Sequence, residues 1–100
     1  GKIAVGNVVL NRVADSEFPD NVYDVVFDRN NGVQFTPVAN GTIYRAPVNE
    51  SIVAAKIALE GVQVLGVKCN YFVNESTAQS AWVQLNRPRV AVVGNHSFFE

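Results

Sequence analysis

A single cysteine, Cys69, excludes an internal disulfide and a cysteine-based zinc site. Charge is scarce and balanced: eight Lys and Arg against nine Asp and Glu leave a net charge of −1. Arg87 and Arg89 are the only close basic pair, so there is no basic face to suit nucleic acid. No apolar run exceeds four residues, which excludes a membrane-spanning helix. Repeats, linkers and low-complexity stretches are missing too, and one domain with one core is expected over residues 1–100. Also lacking is a carboxylate inside an apolar run. Asp15, Glu17, Asp20, Asp24, Asp28, Glu50, Glu60, Glu75 and Glu100 nearly all fall at turns or helix ends. None has the apolar setting that raises a general acid's pKa, so no catalytic acid is assigned within the chain.

Valine and asparagine are abundant, with nineteen and eleven residues. The four Asn-X-Ser/Thr sequons at Asn40, Asn49, Asn74 and Asn95 are sufficiently explained by that asparagine content. Residues 2–13, KIAVGNVVLNRV, contain no proline and do not alternate in twos. Asn7, Asn11 and Asp15 share one helical stripe there, with Ile3, Val5, Val9, Leu10 and Val13 on a wide apolar arc opposite. A largely buried helix is expected, the element around which the rest packs. Gly1 is neither a start methionine nor a cap, so the helix's natural N-terminal context is expected to precede it.

Asp20 or Asn21 can cap a second helix over 22–28. Asn30-Asn31-Gly32 ends it. Residues 34–45 read as a hairpin around Asn40-Gly41, with Pro37 on its open edge. Asn49 is the expected cap of a third helix over 50–60, burying Ile52, Ala55, Ile57 and Leu59 and stopped by Gly61. Residues 67–73 alternate as a strand, with Cys69, Tyr71 and Val73 on one face and Phe72 on the other. A single helical turn from Ser76 or Thr77 to Trp82 follows, then a strand over 90–93 bent at Gly94-Asn95. This order of helices and short hairpins predicts an α+β domain of about three helices.

A Cys69–His96 thiol–imidazole pair, and with it a cysteine peptidase, is disfavoured because Cys69 falls in the inward series of a strand. Rings beside amides are more suggestive. Gln34-Phe35, Tyr71 to Asn74, Trp82 and His96 to Phe99 combine flat apolar faces with fixed hydrogen-bonding groups, the mixture that sugars require. Phe35, Phe72, Trp82 and Phe98 are equally natural core residues. Gln34 and Asn74 are harder to explain that way, because a core amide needs partners.

Five blocks in order then resemble the catalytic domain of the spore cortex-lytic, SleB/CwlJ-type cell wall hydrolases: GKIAVGNVVLNRV (1–13), FPDNVYDVVF (18–27), QFTPV (34–38), YFVN (71–74) and GNHSF (94–98). The resemblance implies a lysozyme-like, lytic transglycosylase-like fold. It also implies cleavage of peptidoglycan glycan strands between N-acetylmuramic acid and N-acetylglucosamine, without a cofactor, in a secreted protein at the wall or spore cortex. One glutamic acid would protonate the glycosidic oxygen and then accept the proton of the muramic acid 6-hydroxyl, leaving an anhydro product. The family's acid lies in a Glu-x-Arg-Gly-Glu segment before the position of Gly1, so it is expected outside this chain and no residue within 1–100 replaces it. Gln34, Phe35, Tyr71, Asn74, Trp82 and His96 are the substrate-binding residues so implied, converging on one sugar cleft. The chain departs from the family at Asn21, Cys69 and Val73-Asn74-Glu75. A non-catalytic glycan-binding relative is the alternative.

Overall fold

The computed structural model describes residues 2–30, 34–35, 41, 43, 46–66, 68–78 and 81–100. Helix α1 (Lys2–Ala14) forms where its period predicts. Its deepest face is not the valine arc. Ala4, Asn7, Val8, Asn11 and Arg12 are buried, while Ile3, Val5, Val9, Leu10 and Val13 are only half-buried. Amides can occupy the interior only when their hydrogen bonds are made there, and both are. Asn7 Nδ2 donates to Val62 O at 2.7 Å and its Oδ1 accepts from Val64 N at 3.0 Å. Asn11 Nδ2 donates to Cys69 O at 2.9 Å.

Helix α2 (Val22–Val26) is capped by Asn21, whose side chain accepts from Asp24 N at 2.8 Å while its Nδ2 donates to Asp24 Oδ2 at 2.7 Å. That reciprocal pair satisfies an exposed helical N–H, as expected of a capping asparagine. The helix ends two residues earlier than expected, and Asp28 beyond it is buried. Most of the hairpin expected over 34–45 lies outside the described residues.

Helix α3 (Asn49–Leu59) begins one residue early, with Val48 rather than Asn49 at the N-cap and no side-chain capping bond. It also turns a different face inward. Ala54 and Ala58 are buried, whereas Ala55, Ile52 and Leu59 are exposed, Leu59 at 68 %. Gly6 explains the choice. A Cβ added there would lie 2.9 Å from Ala58 Cβ, so α1 and α3 approach too closely for branched side chains between them. Gly61, with φ +93°, does stop the helix.

The expected strand over 67–73 shortens to β1 (Tyr71–Val73). Before it, the carbonyls of Cys69 and Asn70 accept from Asn11 and Arg12 side chains instead of from a neighbouring strand. Burial therefore skips from Cys69 to Phe72, breaking strict alternation. Helix α4 (Trp82–Asn86) starts where the expected turn was to end, and residues 79–80 of that turn lie outside the described residues. Asn74 accounts for the shift: Thr77 N and Ala78 N donate to its carbonyl, and Ser76 N to its side-chain oxygen, forming a closed turn over 75–77.

Strands β2 (Arg89–Val93) and β3 (His96–Phe99) form the closing hairpin around Gly94, φ +59°. The antiparallel sheet runs β1-β3-β2, pairing Phe72 with Phe98 and Val93 with His96. Ala4, Val8, Cys69, Phe72 and Phe98 make the core between α1 and this sheet. Burial of a phenylalanine such as Phe98 contributes roughly 1.5–3 kcal/mol.

Candidate functional site

Arg12 stands at the middle of the polar network. It is 1 % exposed, and its planar guanidinium lies between the rings of Phe18 and Tyr71, 4.5 and 5.1 Å from their centroids. Nε donates to Asn70 O at 2.6 Å and an Nη atom to Gln34 Oε1 at 3.0 Å. Burial lowers the guanidinium below its ordinary pKa, and the nearby Tyr71 and Asp28 oppose that shift. Asn70 is held from a second side, its Nδ2 donating to Asp15 Oδ2 at 2.8 Å. Asp15, half-buried just beyond the end of α1, thus continues the line of Asn7 and Asn11.

Gln34 is engaged on both ends of its amide. Nε2 donates to Phe72 O at 2.6 Å, and Oε1 accepts from Phe72 N at 3.2 Å as well as from Arg12. Among the described residues β1 is an edge strand, and this one side chain occupies the outer hydrogen-bonding groups of Phe72 as a further strand would. One Nε2 hydrogen is left uncommitted among the described residues.

The six residues expected to share a sugar cleft divide into two groups, because successive residues of β1 point to opposite faces. On one face the Tyr71 ring lies 6.1 Å from Trp82, which is 53 % exposed, and 6.1 Å from Phe18, with the Arg87 guanidinium over it at 5.1 Å. Gln34 joins this group through Arg12. On the other face Phe72 packs against Phe35 at 5.5 Å and His96 at 5.4 Å, and His96 reaches Phe98 at 6.5 Å. Asn74 joins neither and is turned into its own loop.

A concavity of about 440 Å³ opens on the second face, between the start of α1, α3 and the β2–β3 turn. Lys2, Gly6, Ser51, Asn95 and His96 line it, so His96 is the one expected site residue there. Lys2 Nζ donates to Ser51 Oγ at 3.0 Å and pairs with Glu50 at 3.8 Å. Sequence reasoning missed Lys2, Ser51 and Asn95, which carry no pattern, and it missed Arg12. For Arg12 a signal existed: a guanidinium directly after Asn11, inside an apolar helix, must find acceptors.

Cys69 is fully buried, and burial raises its thiol pKa, the opposite of what a nucleophile requires. Glu75 lies outside both groups. Its carboxylate accepts from Ser97 Oγ at 2.6 Å and pairs with Arg89, and these contacts, Ser97 first, hold it below its ordinary pKa. A carboxylate kept ionised in this way is unsuited to donate a proton at neutral pH.

A small antiparallel sheet packed on a central helix, with edge aromatics and a buried amide–guanidinium network, defines an α+β domain of the lysozyme-like kind. The chain belongs to the cell wall hydrolase family, whose sequence pattern matches residues 1–99. It is 40% identical over 98 residues to the spore cortex-lytic enzyme of Halalkalibacterium halodurans, covering 98% of this chain and 28% of that protein. The Bacillus subtilis spore cortex-lytic enzyme is 34% identical over 100 residues, with 31% of its length covered. The chain thus spans about a third of the length of these relatives. Among solved structures, the catalytic domain of the germination-specific lytic transglycosylase SleB from Bacillus anthracis is similar, with a TM-score of 0.86 and 35% identity over 99% of this chain and 77% of that one. The catalytic domain of Bacillus cereus SleB gives a TM-score of 0.82 at 35% identity, over 99% and 73% of the two chains.

Proposed function

We propose that residues 1–100 are the greater part of a peptidoglycan-cleaving catalytic domain. It cuts the bond between N-acetylmuramic acid and N-acetylglucosamine as a lytic transglycosylase, during spore cortex lysis in germination or in wall remodelling. The observation that carries this reading is the end-to-end similarity, in sequence and in backbone, to the SleB lytic transglycosylase domain. The protein would be secreted, and its partner is the glycan strand.

The proton donor is a glutamate outside residues 1–100. It protonates the glycosidic oxygen as the C1–O bond breaks, then takes the proton of the muramic acid 6-hydroxyl as that oxygen bonds to C1. The 1,6-anhydro ring closes without water, so a second carboxylate is not required. Within this chain, Tyr71 and Trp82 offer ring faces to sugar C–H bonds. Gln34 offers its remaining N–H to a sugar oxygen, and His96 lines the concavity on the other face. Phe35 backs His96 through Phe72, and Asn74 shapes the turn that follows β1.

Purified glycan strands digested with the full-length protein test the assignment by mass spectrometry of the new ends. Anhydromuramic ends are expected. Reducing ends would identify a hydrolytic lysozyme instead, and binding without cleavage a non-catalytic relative.

A further inference from the structure

We infer that Arg12 is the positioning residue of the proposed glycan site: from inside the helix its guanidinium fixes the Gln34 amide and the Tyr71 ring relative to one another. This rests on the reading that Gln34 and Tyr71 contact glycan. The geometry goes beyond a buried tie. Gln34 Oε1 accepts from two donors, Arg12 and Phe72 N, which occupy both of its lone pairs. Turning that amide over would set its NH₂ against the guanidinium and the Phe72 N–H, donors facing donors. Arg12 and Phe72 therefore decide that Gln34 presents N–H, and the site selects a sugar oxygen that accepts, such as an acetamido carbonyl or a ring hydroxyl.

The same guanidinium carries Tyr71. Its flat face meets the ring, and its Nε holds the carbonyl of Asn70, the residue just before it. Asp15, just past the end of α1, grips the Asn70 side chain. One rigid helix thus sets both the donor and the aromatic face. Lysine cannot substitute, because an ammonium is a point charge without a planar fork or a face to stack.

The test uses the full-length protein acting on purified glycan strands, with kcat, KM and melting temperature recorded for each variant. Arg12→Lys is expected to raise KM about tenfold, the effect of one misdirected hydrogen bond to substrate. Asn7→Ala is the comparison. It removes ties to Val62 and Val64 that the site does not use, so it should lower the melting temperature with kcat/KM unchanged. Arg12→Lys should add less loss to Gln34→Ala than it causes alone, since part of its effect acts through Gln34 and only the part through Tyr71 remains. A folded Arg12→Lys variant with wild-type KM, or fully additive losses, would overturn the inference. Where Arg12→Lys does not fold, Gln34→Glu reads the same contact from its other end, keeping the acceptor for Arg12 and removing the N–H. Its KM should rise, and an unchanged KM overturns the inference equally. A wild type that binds glycan strands without cleaving them sinks the transglycosylase reading alone, and the variants are then scored on affinity. No binding at all sinks both.

Discussion

Helix α1 meets two of its neighbours by opposite physical means. Against α3 it presents Gly6 to Ala58, a contact made by removing atoms until two backbones nearly touch. Against residues 62–72 it presents Asn7, Asn11 and Arg12, joined by Asp15 just past its end, a contact made by hydrogen bonds to backbone and to Asn70. The first contact is steric and tolerates sliding. The second is directional, because an N–H···O bond weakens steeply away from linearity. The directional contact is also the one that leads to Tyr71 and Gln34. A domain that must hold sugar-contacting groups steady gains from placing the oriented bonds on that side.

Substitutions on each side should fail differently. Asn11→Ala removes a buried hydrogen bond to the Cys69 carbonyl and is expected to lower stability by about 1–3 kcal/mol. Chemical denaturation checks this as a lower midpoint at unchanged slope; no change would mean that this tie contributes nothing to stability. Gly6→Ala acts on the steric side. Overpacking costs about 1–3 kcal/mol, offset by about 1 kcal/mol of helix propensity, for a net loss near ~1 kcal/mol. A stabilised Gly6→Ala would show that α3 yields freely.

The smallest effect should come from a polar tie in solvent, Glu75 with Ser97 and Arg89. Its folded pKa is depressed, so its contribution is complete above the ordinary carboxylate value of 4.5 and is lost as pH falls through the lower folded value. Glu75→Gln should cost a small amount of stability at pH 7, and that difference from the unaltered protein should shrink to nothing as pH falls below the folded value. A loss that stays equal at low pH would contradict the assignment.

Much of the architecture was legible because it depends on local pattern. The period of residues 2–13, the Asn21 cap, Gly61 as helix stop and the bend at Gly94-Asn95 all follow from neighbours in the chain. What was not legible depends on distant partners. An amide stripe on a helix looks solvent-facing until Val62, Val64 and Cys69 arrive from over fifty residues away. The inward face of α3 could not be read from its isoleucines and leucine, since Gly6 on another helix selects alanine. The start of β1 was misplaced for the same reason, its preceding carbonyls being claimed by α1 side chains. Within the site, the nearness of Tyr71 to Trp82 and of Phe35 to His96 through Phe72 agrees with the ring pattern. Their division between two faces follows from the strand itself, and Arg12 was hidden by its place in an apolar run.

The claim beneath all of this is that side chains stand in for backbone partners along residues 62–72, with Gln34 acting as a missing strand beside Phe72. Amide hydrogen exchange at Phe72 N–H tests it most directly, since that group donates outward from an edge strand to Gln34. Exchange as slow as at the paired amides of β3, accelerating on Gln34→Ala, is predicted. An exposed-edge rate already present in the unaltered protein would contradict it.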